Sequence, residues 1–285
     1  NHLFSWIKYE IGLDKEVLFC ALGPSKNIFE KEFILSDNYS IEYCIEHAST
    51  IVTGTGWGSD IEHDARVLAN KYGKNSVALI DHWANYQSRF IRHNFYQLPT
   101  DIWVVDEYAL VIARNTFSNA GIKLINSHYL EQQVLEIDSY AVAEPNEAEI
   151  FLFLMEPVRD GWNITNEAPE IESFRFFISN IYLLTESDNV KIVIKPHPSD
   201  AIGKYDHLLA EYQGYSIEIN VDASLSKLLA SSNVVIGCQT YAMVVALAAD
   251  KKVICALPSY APECILPHSG IIKLSSLVKI NSHSG

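Results

Sequence analysis

Short runs of apolar, β-branched residues alternate with longer amphipathic stretches along most of this chain. Continuous apolar runs bounded by turn residues indicate strands buried on both faces of a sheet, and amphipathic stretches indicate helices. The expected strands lie at residues 16–22, 50–53, 76–80, 102–105, 122–125, 150–155, 190–194, 216–219, 234–236 and 253–257. The expected helices lie at residues 61–72, 108–115, 129–137, 170–185, 205–212, 225–231 and 240–249. This alternation predicts an α/β fold built on parallel sheets.

A polar segment that contains a proline, AEPNEAE at residues 143–149, interrupts the alternation. Such a change of composition is typical of a domain boundary. We therefore expect two domains, residues 1–145 and residues 146–285. Two successive strand–helix alternations of similar length predict two Rossmann-like, doubly wound domains that face each other across a cleft.

Composition narrows the class of protein. The chain has 285 residues, of which 48% are hydrophobic, so each half can build a core. A formal net charge of -14 argues against a nucleic-acid partner and gives no reason to expect binding to anionic lipid, although peripheral membrane contact stays open. No apolar run is long enough to span a bilayer. The five cysteines have no metal-ligand spacing and fit buried thiols in a reducing, cytoplasmic compartment.

The run VKIVIKPHPSD at residues 190–200 carries the strongest chemical signal. A buried strand leads directly into Lys195-Pro196-His197-Pro198, where two prolines end the strand and keep the backbone extended. Ligands of open α/β sheets bind at the carboxyl ends of the strands. A cation and a histidine at that place therefore predict a phosphate site. The alternative is a strand followed by a tight surface turn.

A second phosphate candidate is Gly237-Cys238-Gln239-Thr240-Tyr241, which follows a strand and opens a helix. The start of a helix presents free backbone N–H groups and a positive dipole end, which together bind phosphate. Gln239 or Thr240 can add a side-chain donor. The alternative is that Thr240 is only the N-cap of the helix.

Two loops supply weaker candidates. Arg159 lies after the first strand of the second domain, where it can reach a phosphate or form a solvated salt bridge. The segment GTGWGS at residues 54–59 follows a strand but lacks the spacing of a dinucleotide fingerprint. Gly54, Thr55 and Gly56 would let a ligand approach the backbone closely, or would form a plain glycine-rich turn.

Acidic residues end two strands of the first domain. Asp81 follows a buried strand and precedes His82 and Trp83. A carboxylate there can act as general base on an acceptor hydroxyl, or can cap the next helix. Asp106 and Glu107 follow the next strand and are candidates for acceptor contacts, with helix capping as the alternative. The sequence has no DxD pattern, no Walker loop and no nucleophile elbow, so we expect neither a metal nor a cofactor.

The KPHP motif, with His197-Pro198 after a strand, resembles glycosyltransferases of the two-Rossmann-domain type called GT-B. It resembles in particular the bacterial enzymes that use CMP-activated sugars, the sialyltransferases and Kdo transferases. In that family the His-Pro motif contacts the donor phosphate. The family's serine-containing phosphate motif corresponds in position to Gln239-Thr240-Tyr241, without the usual serines. Its acidic catalytic motif corresponds to Asp81, in the local sequence DHW.

The resemblance implies a metal-independent enzyme that moves a CMP-linked, sialic-acid- or Kdo-like sugar to a surface glycan in a bacterial cytoplasm. Asp81 would be the base, and His197, Lys195, Arg159 and residues 239–241 would hold the donor. KPHP is also similar to the motif of CDP-glycerol and CDP-ribitol phosphotransferases, and the two-domain plan is similar to that of UDP-GlcNAc 2-epimerases. A non-catalytic nucleotide- or glycan-binding module is a further alternative.

Overall fold

The computed structural model describes residues 2–33, 39–140, 148–158 and 167–282. They form two compact units, Asn1–Tyr129 and Leu130–Gly285. The expected boundary between residues 145 and 146 falls in 141–147, outside the described residues. The units part earlier, within a helix that begins at residue 128. The hydroxyl groups of Tyr140 and Ser224 lie 3.3 Å apart, which ties the end of that helix to the second unit.

The first unit opens with helices and then alternates strands with helices. Its elements in chain order are α1 (His2–Gly12), α2 (Pro24–Phe33), α3 (Ile41–His47), β1 (Thr50–Thr53), α4 (Ile61–Lys71), β2 (Asn75–Ile80), β3 (Ile91–Arg92), β4 (Phe95–Tyr96), β5 (Asp101–Val104), α5 (Glu107–Thr116) and β6 (Gly121–Leu124). The helix α6 (His128–Ser139) begins in this unit, and most of its residues belong to the second one. A parallel sheet has the order β1-β2-β5-β6, while β3 and β4 pair as an antiparallel hairpin.

One expected strand of this unit is wrong: the structure assigns no strand to residues 16–22. Phe19 and Ala21 are buried, at 8% and 4% exposure, so the run is apolar because it packs and not because it joins a sheet. The Phe19 ring lies 5.3 Å from that of Phe29, and its carbonyl accepts a hydrogen bond from the Tyr39 N–H. An apolar pattern reports burial, and here burial occurs without strand pairing.

The second unit has a longer sheet. Its elements are β7 (Glu149–Leu154), α7 (Pro169–Ser179), β8 (Val190–Lys195), α8 (Asp206–Glu211), β9 (Ser216–Ile219), α9 (Leu225–Ser231), β10 (Val234–Gly237), α10 (Tyr241–Ala248), β11 (Lys252–Cys255), β12 (Ile271–Lys273) and α11 (Leu274–Ser282). The six strands have the order β12-β11-β10-β7-β8-β9, and all pairs are parallel. The expected helix at 170–185 ends at Ser179, after which a 3-10 turn spans Ile181–Leu183.

The core of the second unit explains the continuous apolar runs of its central strands. Phe151 and Phe153 of β7 are fully buried and pack on α7. Phe153 meets the ring of Phe174 edge-on, with 5.1 Å between the centroids. Helices cover both faces of such a parallel sheet, so a central strand needs apolar residues at successive positions.

The strand order reverses on either side of β7, as in a doubly wound Rossmann sheet. Chain order runs outward through β8 and β9 on one side, and through β10, β11 and β12 on the other. The expected fold class, two Rossmann-like α/β units, is therefore confirmed. In the ranges that the structure describes, none of the helices combines the length and the apolar character needed to cross a bilayer.

Candidate functional site

The carboxyl edge of the second sheet holds the two expected phosphate segments. The KPHP segment begins at the end of β8, and Gly237 ends β10. Both strands pair with β7, so their ends lie about 10 Å apart at a spacing of about 4.8 Å per strand. This is the point at which the strand order reverses, and ligands of open α/β sheets bind there.

The His197 turn is closed by its own side chains. The His197 N–H donates to Asp200 Oδ2 over 2.9 Å. The Ser199 N–H lies 3.2 Å from His197 Nδ1, and Ser199 Oγ lies 2.7 Å from the same nitrogen. Because a backbone N–H can only donate, Nδ1 is an acceptor, and the proton of the neutral ring sits on Nε2. The turn therefore leaves the histidine with Nε2–H as its donor.

A buried network fixes this turn from below. Asp200 Oδ2 also accepts from the Tyr205 hydroxyl at 2.9 Å, and Asp200 Oδ1 accepts from Lys204 Nζ at 2.7 Å. Lys204 Nζ donates in addition to Glu170 Oε1, at the start of α7, over 2.8 Å. The side chains of Asp200 and Glu170 are each only 3% exposed. The His197 turn is thus anchored on two buried carboxylates and the lysine between them.

The network favours the charged forms of Asp200 and Lys204. Burial acts against charge on Asp200, but hydrogen bonds from Lys204, Tyr205 and the His197 N–H outweigh it and lower the pKa of Asp200. Burial likewise acts against the charge on Lys204, while its bonds to Asp200 and Glu170 raise its pKa. Charged groups bound in this way make a stiff support for the turn.

Lys195, which was expected to bind phosphate, also forms hydrogen bonds within the protein. Its Nζ donates to the carbonyl oxygens of Val221 and Ala223, over 2.9 and 2.8 Å. These contacts use two of the three N–H donors of the ammonium group. Burial lowers the pKa of Lys195, and the negative charge of Asp222 opposes that shift. Lys195 thus joins the end of β8 to the loop after β9.

The turn before α10 is tight. Thr240 is the N-cap of α10, and its Oγ1 accepts from the Ala242 N–H over 3.4 Å. A Cβ on Gly237 would lie 3.0 Å from Met243 Sδ, which explains a glycine there. The N-cap role of Thr240, the alternative given for this segment, is therefore present.

The first unit carries the expected base at its own sheet edge. Asp81 directly follows β2 and is half-buried. Burial lowers the pKa of Arg89, and the charge of Asp81 opposes that shift. Arg89 is 7% exposed and donates to the Ala84 carbonyl at 3.0 Å and to Thr55 Oγ1 at 3.2 Å. A buried, internally bonded cation therefore accompanies Asp81.

His82 directly follows Asp81 in the chain. Its Nδ1 accepts from the Ala84 N–H at 3.2 Å. Burial lowers the pKa of His82, and Arg89 lowers it further against the opposing charge of Asp81. The ring is therefore held neutral near pH 7.

Both carboxylate oxygens of Asp106 accept hydrogen bonds from other residues of the chain. Its Oδ1 accepts from the Ala109 N–H at 2.6 Å and caps α5, while its Oδ2 accepts from Trp83 Nε1 at 2.8 Å. Helix capping, weighed above as the alternative for Asp106, is thus present. Trp83 is 5% exposed and packs as a buried ring. Glu107 is the exposed first residue of α5.

The glycine loop at residues 54–59 carries an internal anion. The Gly56 N–H donates to Glu62 Oε2 over 2.6 Å, and a Cβ on Gly54 would lie 2.5 Å from Glu62 Oε1. Arg92 closes the loop through the Gly56 carbonyl at 2.5 Å. The glycines therefore let a carboxylate of this chain reach the backbone, at the place where a ligand was expected.

The structure brings together some predicted residues and not others. Lys195, His197 and Pro198 lie in the turn at the end of β8. Gln239, Thr240 and Tyr241 lie in the turn at the end of β10, and β7 stands between these two strands. Asp81, His82, Trp83, Asp106, Glu107 and the glycine loop belong to the other unit. Arg159 lies outside the described residues.

Sequence reasoning missed the residues that support the site. Asp200 had a signal, because an aspartate three residues after the histidine of a proline-flanked turn can bond the backbone of that turn. Glu170 had none, since its partner Lys204 lies 34 residues further along the chain. Arg89 follows Asp81 in the sequence without a predicted role, and Glu62 was missed although its partner Gly56 lies only six residues before it. Across the ranges described, no cluster of three or more His, Cys, Asp or Glu residues is placed to hold a metal ion.

Comparison with solved structures supports the fold. The UDP-GlcNAc 2-epimerase of Methanocaldococcus jannaschii aligns at TM-score 0.56 and 11% identity, over 90% of this chain and 82% of that one. A protein of Listeria monocytogenes assigned as UDP-N-acetylglucosamine 2-epimerase aligns at TM-score 0.55 and 9% identity, over 85% of this chain and 67% of that one. These likenesses define the class of fold, two Rossmann-like units of the GT-B type.

A third solved structure aligns at a lower score. The beta Kdo 2,7 transferase KpsC of Thermosulfurimonas dismutans aligns at TM-score 0.34 and 15% identity, over 80% of this chain and 88% of that one. A score this low supports no argument. No family model and no curated protein matches the sequence.

Proposed function

We propose that this chain is a glycosyltransferase that moves a sugar from a nucleotide-activated donor to a hydroxyl group of a surface glycan. A CMP-linked, sialic-acid- or Kdo-like sugar is the proposed donor class, because KPHP resembles the motif of such enzymes. The His197 turn carries the proposal, since a buried charged network holds it at the edge where α/β sheets bind ligands. A bacterial cytoplasmic location, with or without peripheral membrane contact, belongs to the same proposal.

The second unit would hold the donor phosphate. His197 offers Nε2–H as a donor, and Pro196 and Pro198 stiffen the turn that presents it. The start of α10 places its positive dipole end beside Thr240, and Gln239 offers an amide. Lys195 adds a positive charge at the same edge.

The proposed reaction needs a general base for the acceptor hydroxyl and fixed donors that stabilise the leaving phosphate. Asp81 would take the proton of the acceptor hydroxyl, whose oxygen then attacks the anomeric carbon of the donor. The bond from that carbon to the donor phosphate breaks, and the nucleotide leaves with the electron pair. Lys195 and His197 would stabilise the charge that grows on the leaving phosphate. Arg159 is a further proposed phosphate contact.

A second candidate is an epimerase that acts on a UDP-linked N-acetylhexosamine. Two structural matches above TM-score 0.5 favour it, because both carry that name. Such an enzyme needs no acceptor, so its reaction differs from transfer in its products.

A thermal-shift screen with CMP, CDP, UDP, UMP and GDP, each with and without EDTA, tests the proposal. A ligand that binds only the folded state adds about 2.7 kcal/mol at 100 times its Kd, which is readily visible. Stabilisation by CMP that survives EDTA is the expected result. Stabilisation by UDP alone would move the assignment to the epimerase, and by CDP alone to a polyol phosphotransferase. No response to any of the five would refute nucleotide-dependent chemistry.

His197→Ala tests the mechanism once a donor is known. Removal of a preorganised donor at a developing charge typically costs about 10²–10³ in rate, and we expect a loss of that order. His207→Ala is the matched control, since His207 is an exposed histidine on α8 of the same unit. Equal rates for the two variants would contradict the assigned role.

A further inference from the structure

Three cysteines meet at the carboxyl edge of the second sheet. Cys238 follows β10, Cys255 ends β11, and Cys264 lies in the loop before β12. The sulfurs of Cys255 and Cys264 lie 3.1 and 3.5 Å from one acceptor, the Cys238 carbonyl oxygen. The two sulfurs also lie close enough to each other to shift each other's pKa. They therefore form a close pair of free thiols.

The third thiol is separate from this pair. The Cys238 side chain is fully buried, and burial raises the pKa of its thiol. Only the backbone carbonyl of Cys238 is shared with the pair. The chain thus offers one pair that can react together, beside a thiol that burial protects.

The pair supports the turn that starts α10. The carbonyl of Cys238 stands two residues before Thr240, the N-cap of α10. Each thiol that donates to this carbonyl ties the turn to β11 or to the loop after it. A change in the thiols therefore acts on the backbone of the turn.

The two thiols differ in reactivity. The hydrogen bond with Cys255, the Leu266 N–H and the charge of Lys273 lower the pKa of Cys264 against the effect of burial. The pKa of Cys255 is raised by the same thiol contact and by burial. Cys264 is half-buried, while Cys255 is 2% exposed. A half-buried thiol with a lowered pKa beside a protected thiol is the arrangement of a nucleophile and its resolving partner.

We propose that Cys255 and Cys264 are a reversible redox modification site, whose oxidation to a disulfide loosens the turn at residues 238–240. The oxidant is a hydroperoxide. The Cys264 thiolate attacks the peroxide oxygen, the O–O bond breaks, and hydroxide (alkoxide from an organic peroxide) leaves, which gives the sulfenic acid. The Cys255 sulfur then attacks the Cys264 sulfur, and the sulfenic hydroxyl leaves as water with the Cys255 proton. Each disulfide thus forms at the expense of one peroxide.

Oxidation removes both S–H donors from the Cys238 carbonyl. A lost hydrogen bond to a buried carbonyl corresponds to about a fivefold change in an opening equilibrium, or about 1 kcal/mol. We expect amide exchange at residues 239–243 to become about fivefold faster. If α10 binds phosphate, which rests on the proposed function, nucleotide affinity should fall by a similar factor.

Peptide mapping measures the disulfide directly. Trypsin releases residues 253–273 as one peptide, which contains both cysteines and no internal lysine or arginine. Treatment of the full chain with hydrogen peroxide should remove two hydrogens from this peptide and block its alkylation, and dithiothreitol should reverse both changes. Hydrogen exchange on the same samples reports the turn, and titration with CMP or UDP reports the site.

Two variants keep the test specific. Cys264→Ser should abolish the disulfide and the change in exchange, while its hydroxyl can still donate to the Cys238 carbonyl. Cys44→Ser, in the first unit, is the control and should leave both responses intact. A peptide that stays fully alkylated, or that gains oxygen without losing two hydrogens, overturns the redox site.

The failures can be told apart. A disulfide that leaves exchange at residues 239–243 unchanged overturns the coupling to the turn. Absence of nucleotide binding by the reduced chain would refute the proposed function, and the mass and exchange measurements would still decide the redox proposal.

Discussion

Asp200→Asn is the sharpest test of the network under the His197 turn. The carboxylate accepts three hydrogen bonds, from the His197 N–H, the Tyr205 hydroxyl and Lys204 Nζ. An asparagine of the same shape has one oxygen and one NH2 group, and each side of the native carboxylate faces a donor. Either orientation of the amide therefore sets a donor against a donor.

The cost follows from burial and charge. Breaking a buried ion pair by removing one partner typically costs about 3–5 kcal/mol. Here Lys204 keeps Glu170 and its side chain is 28% exposed, so the cost is smaller. We expect a loss of about 2–4 kcal/mol at pH 7, which lowers the Tm of the second unit by roughly 4–16 °C.

The loss should depend on pH. The pKa of Asp200 is lowered in the folded chain, so near pH 4 the folded state binds fewer protons than the unfolded state. The stability that Asp200 contributes is then complete above its unfolded pKa of about 3.9 and is lost as the pH falls through the lowered folded value. The gap between wild type and variant should be constant from about pH 7 to about pH 5 and should shrink below about pH 4.

Denaturant unfolding followed by far-UV circular dichroism measures this gap. Asp206→Asn is the matched control, because Asp206 is an exposed aspartate at the start of α8 and should change stability by no more than about 0.5 kcal/mol. Equal stability of the two variants at pH 7 would refute the network, and a gap that persists unchanged at low pH would refute the charge argument.

Three further predictions concern other contacts. Gly54→Ala should displace the Glu62 carboxylate from the Gly56 N–H and cost about 1–2 kcal/mol, and it should cost less in a Glu62→Ala background, as a double-mutant cycle of unfolding free energies would show. Trp83→Phe keeps an aromatic side chain, although a smaller one, and removes the bond to the capping carboxylate, which should cost about 1.5–3 kcal/mol in denaturant unfolding. Alkylation of Cys264 should level off at a lower pH than for an ordinary thiol, because its pKa is lowered, and quantitative mass spectrometry follows the rate.

Each of these three predictions has a matched control or an outcome that would contradict it. Full additivity of the two substitutions at the glycine loop would contradict the contact between them. Trp57→Phe, at a ring that is 54% exposed, should change stability little, and an equal effect at both tryptophans would count against the buried bond. Burial raises the pKa of Cys44 to about 11, so its alkylation should still rise where that of Cys264 is level. Parallel pH profiles for the two thiols would refute the assignment.

Local pattern was enough to find most elements. The strands at 216–219 and 50–53 have the bounds that the sequence predicts. Central strands of a parallel sheet are covered on both faces, and that burial writes a continuous apolar run into the sequence. The run at 16–22 shows the limit, because the same burial arises there from packing on α2 without strand pairing.

The sequence also predicted only a part of the candidate site. The sequence determined that Lys195 and His197 end a buried strand, and that Thr240 opens a helix, since these are relations between neighbours in the chain. Only the tertiary structure decided that β8 and β10 flank β7 and that Glu170 reaches Lys204. Those relations join residues far apart in sequence, and their free energy exists only once the core has packed and excluded water.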